Sequence, residues 1–117
     1  MASIILAVLY LSGLDKIPND RPWLHQVFYD LSKKYDCVNL VFKNDLLFPE
    51  SKELDEIIFA LIPGFLELND SYRWLLIRKD TCDRWWTKEK KEVLGRCPEL
   101  PEIACAFKEI VACRSSG

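Results

Sequence analysis

Reactive chemistry in this chain of 117 residues would have to come from five cysteines, one histidine and scattered carboxylates. Cys82 is the best placed cysteine. It follows Asp80 in the first turn of an expected helix, where the helix N-terminus favours a thiolate. Asp80 and Asp83 flank it and oppose that thiolate. A small thiol-dependent enzyme is therefore a remote alternative, one in which Cys82→Ser would abolish activity. Cys37, Cys82, Cys97, Cys105 and Cys113 include no CxxC pair, so a zinc ribbon is not expected. Their odd number leaves at least one thiol free. They are expected as small buried hydrophobes in a reducing cytosol, with a disulfide open to a hyperthermophile source. Cys105 and Cys113 stand eight residues apart on an expected helix. That is about 12 Å by the helical rise, too far for them to pair while the helix is intact.

His25 has no nucleophile or carboxylate near it in the sequence and lies beside the apolar stripe of its helix. It is expected as a surface or half-buried ring. There is no P-loop, no GxGxxG and no HExxH, and four glycines are too few for a phosphate cradle. No catalytic residue, metal site, cofactor or small-molecule substrate is expected.

The elements that would position these groups follow from periodicity. Residues 3–12 carry almost no polar face and read as a central helix, capped by Ser3 and ended by Gly13. The run is too short to span a bilayer, and no basic residue precedes it as in a signal peptide. It is expected as a buried first helix of a cytoplasmic protein without membrane contact. Asp20 and Pro22 open a second helix with Trp23, Leu24, Val27, Phe28 and Leu31 on one stripe. Cys37–Phe42 is short and β-branched and reads as a strand, with 43–45 as its turn. A third helix starts near Ser51, with Leu54, Ile57, Ile58, Leu61 and Ile62 inward and Lys52, Glu53, Asp55 and Glu56 outward. Pro63 and Gly64 break it.

Leu66–Leu68 and Tyr72–Ile77 then alternate around Asn69-Asp70-Ser71, a hairpin whose turn uses the left-handed tolerance of Asn and Asp. A fourth helix is expected from Asp80 or Thr81 to Leu94, stopped by Gly95, with Trp85, Trp86, Val93 and Leu94 inward and Lys88, Lys90 and Lys91 outward. Pro101 opens a last helix with Ile103, Ala106, Phe107, Ile110 and Val111 on a stripe, followed by a frayed RSSG tail. One domain of α+β class accounts for the length: mostly helical, with a β-hairpin in the C-terminal half and extra C-terminal helices.

The order helix, helix, strand, helix, hairpin is that of winged-helix domains. The segment FPESKELDEIIFALIPGFLELND is similar to a pattern in prokaryotic phage-associated and antitoxin-type helical domains, through Phe48, Ser51, Glu53, Leu54, Leu61, Gly64 and Leu66. The resemblance covers roughly residues 2–80. It implies a winged-helix-like core over 1–79, with 80–117 as a helical extension. It also implies DNA binding, with the third helix in the major groove and the wing near the backbone. The sequence departs from that implication at the decisive surface. Base edges and phosphates call for Arg, Lys, Asn or Gln, whereas the third helix offers Glu53, Asp55 and Glu56. The expected wing tip, Asn69-Asp70-Ser71, is not basic either.

The net charge of −2 argues against nucleic-acid binding by bulk charge, but the distribution is uneven. From Asn44 to Asp70 one base faces seven acids, and from Arg73 to Arg96 eight bases face four acids. Two readings follow. In the first, the chain is a regulatory or protein-interaction module of a prokaryote, without catalysis, acting on a protein partner or on itself as a homo-oligomer. Trp74, Trp85 and Trp86 are its candidate interface aromatics. In the alternative, it is a DNA-binding transcriptional regulator that uses Arg73, Arg78, Lys79, Arg84, Lys88, Lys90 and Lys91, with Trp85 and Trp86 free to stack on bases. Salt separates the two, since binding to duplex DNA weakens steeply as salt rises.

Overall fold

The computed structural model describes residues 1–44 and 47–116. The order is α1 (Ala2–Leu11), β1 (Lys16–Pro18), α2 (Arg21–Lys34), α3 (Lys52–Leu61), β2 (Leu66–Leu68), β3 (Trp74–Ile77), α4 (Lys79–Arg96) and α5 (Leu100–Ser116). The protein is α+β, five helices around a small antiparallel sheet.

The all-apolar face of α1 makes it the centre. Ile4 through Leu9 are each at most 5% exposed, and α3, α4 and α5 all pack against this helix. Its N-cap is Met1, two residues earlier than the expected Ser3, and Gly13 follows in the left-handed region (φ 75°) that suits glycine. α2 begins as expected. Asp20 accepts the Trp23 N–H at 3.3 Å and Pro22 sits in the first turn. The C-terminal helices complete the core, with Phe107 of α5 stacked on Phe28 of α2 at 5.6 Å and Ile103 fully buried. Helices α4 and α5 therefore belong to the same hydrophobic core as the elements before residue 79.

The hairpin forms over the expected residues, but it lies in the middle of the chain. Everything from Lys79 to Ser116 is helical except the short link before Leu100, which corrects the placement in the C-terminal half. A third strand joins it. Lys16–Pro18 pairs with β3 in the register Lys16↔Leu76, Ile17↔Leu75 and Pro18↔Trp74, giving the sheet order β1-β3-β2. Proline is tolerated there because β1 is an edge strand. Leu66, Leu75, Ile77 and Ile17 face the core, while Trp74 and Leu76 are half-buried on the other side.

Other expectations fail for identifiable reasons. Residues 37–42 form no strand: β3 already has both its neighbours, and the isolated bridge among the described residues, Lys43↔Glu50, lies just past the segment. Asp45, the end of the expected turn there, and Gly117, the end of the expected frayed tail, lie outside the described residues. In the hairpin turn the left-handed residue is Tyr72 (φ 58°). Asn69 acts through its side chain instead, its Oδ1 accepting the N–H of Arg73 at 3.0 Å and of Trp74 at 3.2 Å. Gly95 does not stop α4, which continues to Arg96.

Cys37 and Cys97 form a disulfide, which ties the end of α2 to the α4–α5 junction. Cys82 is buried and free, but Cys105 and Cys113 are exposed on α5. That corrects the expectation that all unpaired cysteines serve as small core residues.

Candidate functional site

His25 is the first departure from the expected site map. The ring is 2% exposed, against an expected surface or half-buried position. It is buried because it joins two helices. Its Nδ1 accepts the backbone N–H of Ser51 at 3.0 Å, so Nδ1 is unprotonated and the ring is neutral. The Nε2–H then donates to Oδ1 of Asp55 at 2.8 Å. Ser51 is the N-cap of α3, its own hydroxyl accepting the Leu54 N–H at 3.2 Å. A side chain of α2 thus closes the start of α3.

Asp55 is drawn further into this joint by Arg21, whose Nε and Nη2 reach both carboxylate oxygens at 2.7–3.1 Å while Nη2 also reaches Glu50 at 2.6 Å. Burial pushes the Asp55 carboxyl up, but the hydrogen bonds from Arg21 and His25 outweigh it and hold the group below its ordinary value. The same carboxylates raise the Arg21 guanidinium. Asn19, Arg21, Leu24, Asp55, Ile58 and Phe59 are among the residues around an apolar-walled cleft of about 300 Å³ above His25. This geometry resembles a charge-relay pair, yet both ring nitrogens are occupied within the protein. The imidazole has no lone pair left to take a proton from a substrate, and the network acts as a strut.

Sequence reasoning missed this network because its members lie far apart, Asp55 being 30 residues from His25 and 34 from Arg21. The helical spacing places Asp55 with Glu53 and Glu56 on the outward face. Asp55 sits beside Leu54, at the edge of the apolar stripe, which was the only local sign that it could reach inward.

Glu53 and Glu56 do face solvent. Phe59, two turns along α3, is 81% exposed, an unusual position for a large aromatic side chain. Among the described residues neither Glu53 nor Glu56 has an ion pair. The outer face of α3 is therefore anionic with an apolar projection.

The candidate basic residues do not form one patch. Arg84, Lys88 and Lys91 fall at i, i+4 and i+7 of α4 and make one exposed stripe without an ion pair among the described residues. Lys90 is exposed on a different side of the helix, and Lys79 is half-buried. Arg78 precedes α4 and reaches the Pro63 carbonyl at 3.4 Å. Arg73 lies at the turn end of β3, near Trp74 and Arg114. The four residues of β3 lie between Arg73 and Arg78, a rise of roughly 16 Å over five steps of extended chain.

All four tryptophans are half-buried. Trp85 and Trp86 are 5.8 Å apart, Trp85 meets Phe65 at 6.3 Å, and Trp86 meets Tyr10 at 6.0 Å, so the pair is part of an aromatic row along α4. Trp74 lies on the sheet, beneath Lys16 at 4.3 Å. Beside Trp85 an open hollow of about 730 Å³ is bordered by Phe65, Arg84 and Lys88.

Cys82 is fully buried, and burial pushes its thiol up, with Asp83 and Asp80 adding to the shift and Lys79 opposing it. Both the burial and the shift disfavour the thiolate that nucleophilic chemistry requires. Among the described residues no group of three His, Cys, Asp or Glu side chains is placed to hold a metal ion, and no helix is long and apolar enough to cross a membrane. Comparison with known proteins finds no matching family model, curated protein or solved structure.

Proposed function

We propose that this chain is a winged-helix-type regulatory module of a prokaryote that acts in the cytoplasm through protein contacts, with the outer face of α3 as its partner surface and without catalysis. The succession of three helices and a hairpin supports the winged-helix reading, although the additional strand lies between α1 and α2 and not, as expected, between α2 and α3. One departure stands out: residues 35–51 separate α2 from α3, far more than the three or four residues of a helix-turn-helix.

The observation that carries the proposal is the composition of the exposed α3 face, Glu53, Glu56 and Phe59. Carboxylates pressed toward phosphates repel them and release no counterions. An exposed aromatic ringed by charge is instead what a protein interface uses as an anchor. The test is photo-crosslinking from a benzophenone side chain at position 59. The expected product is a protein–protein adduct. An adduct to nucleic acid, or duplex binding that Phe59→Ala removes, overturns the proposal.

The alternative, duplex binding through α4, is favoured by one observation, the unpaired stripe Arg84, Lys88 and Lys91. It predicts affinity that falls steeply with salt and drops when Lys88 and Lys91 are replaced by Ala.

A further inference from the structure

The anionic face of α3 and the cationic stripe of α4 are complementary surfaces on one molecule. Both helices flank α1, and both stripes point to solvent. Glu53 and Glu56 are three residues apart, as are Lys88 and Lys91. Each pair therefore spans about 4.5 Å along its helix axis, so the two rows can be laid in register. Next to the acids Phe59 projects, 81% exposed. Next to the bases lies the open hollow walled by Phe65 and Trp85 and rimmed by Arg84 and Lys88. Asp83 and Glu89 also line it, and Asp83 accepts a hydrogen bond from the Tyr10 hydroxyl.

We infer that the partner of α3 is a second copy of this chain. Phe59 of one copy enters the Phe65–Trp85 hollow of the next, while Glu53 and Glu56 meet Lys88 and Lys91. This rests on the protein-contact reading above and names its partner. Charge complementarity selects the second copy, because acids outnumber bases seven to one from Asn44 to Asp70 while bases outnumber acids eight to four from Arg73 to Arg96, so each segment supplies what the other needs. The contact joins unlike surfaces, so it closes as a two-fold pair where both copies reciprocate it and otherwise builds a ring or an open chain. The half-buried Trp85 becomes buried on assembly.

The experiment is sedimentation velocity over a range of protein and salt concentrations, on the wild type and two charge-reversed variants. One variant carries Glu53→Lys and Glu56→Lys, the other Lys88→Glu and Lys91→Glu. Circular dichroism is expected to show that each is folded, because all four positions are exposed. The wild type is expected to gain mass with concentration and to lose it as salt rises. Each variant alone is expected to associate at least about tenfold more weakly, a loss typical of juxtaposed like charges. Their mixture is expected to regain association with the two variants alternating, because the basic α3 and α4 of the first meet the acidic α4 and α3 of the second. Phe59→Ala is expected to weaken assembly without altering the salt dependence. A wild type that stays monomeric, or reversed variants that associate as it does, overturns the inference. So does a mixture that fails to recover. The protein-contact reading fails separately: adducts from position 59 to a different protein leave it standing while removing self-assembly, and adducts to nucleic acid remove both.

Discussion

Nε2 of His25 donates to Oδ1 of Asp55 across 2.8 Å, and the opposite ring nitrogen accepts the Ser51 N–H that begins α3. The ring is thus a two-ended connector between α2 and α3, and removing it leaves both a cavity and an unpartnered buried backbone donor. His25→Ala is expected to lower unfolding stability by roughly 2–5 kcal/mol, the sum expected for a buried side chain and an orphaned N–H. Asp55→Asn keeps an oxygen for the ring but loses the Arg21 ion pair. Because the Asp55 side chain is 38% exposed, its loss is expected to be smaller, about 1 kcal/mol. Urea denaturation of the two variants measures the difference. Equal losses would mean that the ring contributes no more than the surface pair.

The same joint sets a pH dependence. Asp55 is held below its ordinary value of 3.8 by Arg21 and His25 against the opposing effect of burial. A carboxylate depressed in the folded state contributes stability that is complete above its unfolded value and is lost as pH falls through its folded value. The wild type is therefore expected to lose stability below about pH 4 more steeply than Asp55→Asn. Parallel acid limbs in urea melts at descending pH would contradict the assignment.

The elements that periodicity could locate are those with a long, one-sided apolar pattern. α3 was legible because Leu54, Ile57 and Leu61 repeat at helical spacing, and each is buried. The hairpin was legible because its strands alternate on both sides of a polar turn. β1 was not, since Lys16–Pro18 is only three residues long, ends in a proline, shows no alternation and owes its strand conformation to β3. Residues 37–42 show the converse: β-branched composition suggested a strand, but the β3 edges were taken and the Cys37–Cys97 bond drew the segment elsewhere. The carboxylates of α3 were legible as a group, whereas the diversion of Asp55 to His25 and Arg21 depends on long-range packing that no local pattern encodes.

The Cys37–Cys97 bond closes a loop of 60 residues that contains α3, the hairpin and α4. In the chain-entropy model such a crosslink restrains the unfolded ensemble by about 4 kcal/mol. The double variant Cys37→Ala, Cys97→Ala, or the wild type with a strong reductant, is expected to unfold at correspondingly lower denaturant. The m-value is expected to rise, because the unfolded chain can expand further. Free-thiol counts under denaturing conditions should give three in the oxidised protein, the number left by Cys82, Cys105 and Cys113. A count of five, with no effect of reductant, would show that the pair is not bonded in solution.

The integration of α5 with α1 makes the division at residue 79 a matter of sequence and not of stability. Ile103 and Phe107 are fully buried, and Phe107 closes over both Phe28 and Trp23. Ending the chain at residue 79 would expose the side of α1 that α4 and α5 cover. The fragment 1–79 is expected to show no cooperative thermal transition and no dispersed amide spectrum. Cooperative unfolding of that fragment would establish it as an independent core. The smaller lesion Phe107→Ala is expected to cost about 3–5 kcal/mol in the full chain.

Tyr10 and Asp83 link α1 to α4 directly, through a hydrogen bond from the phenol to the carboxylate. That bond, together with burial and the charge of Asp83, pushes the Tyr10 hydroxyl up from its ordinary 10.0 to about 12. A phenol raised in the folded state contributes stability below its unfolded value, and the contribution disappears as pH rises through the folded value. Tyr29 shifts the other way, lowered by its bonds with Lys33 and Asn44, so the two phenols are well separated in a spectrophotometric titration. Asp83→Asn is expected to return one late-titrating tyrosine toward the ordinary range and to leave the early one unmoved. The same variant is expected to increase mobility along the row Tyr10, Trp86, Trp85 and Phe65, measurable as a change in tryptophan emission, because the row rests on the α1–α4 contact that the bond closes. A titration identical to the wild type would show that the phenol faces water, and that this edge of α4 is held by aromatic packing alone.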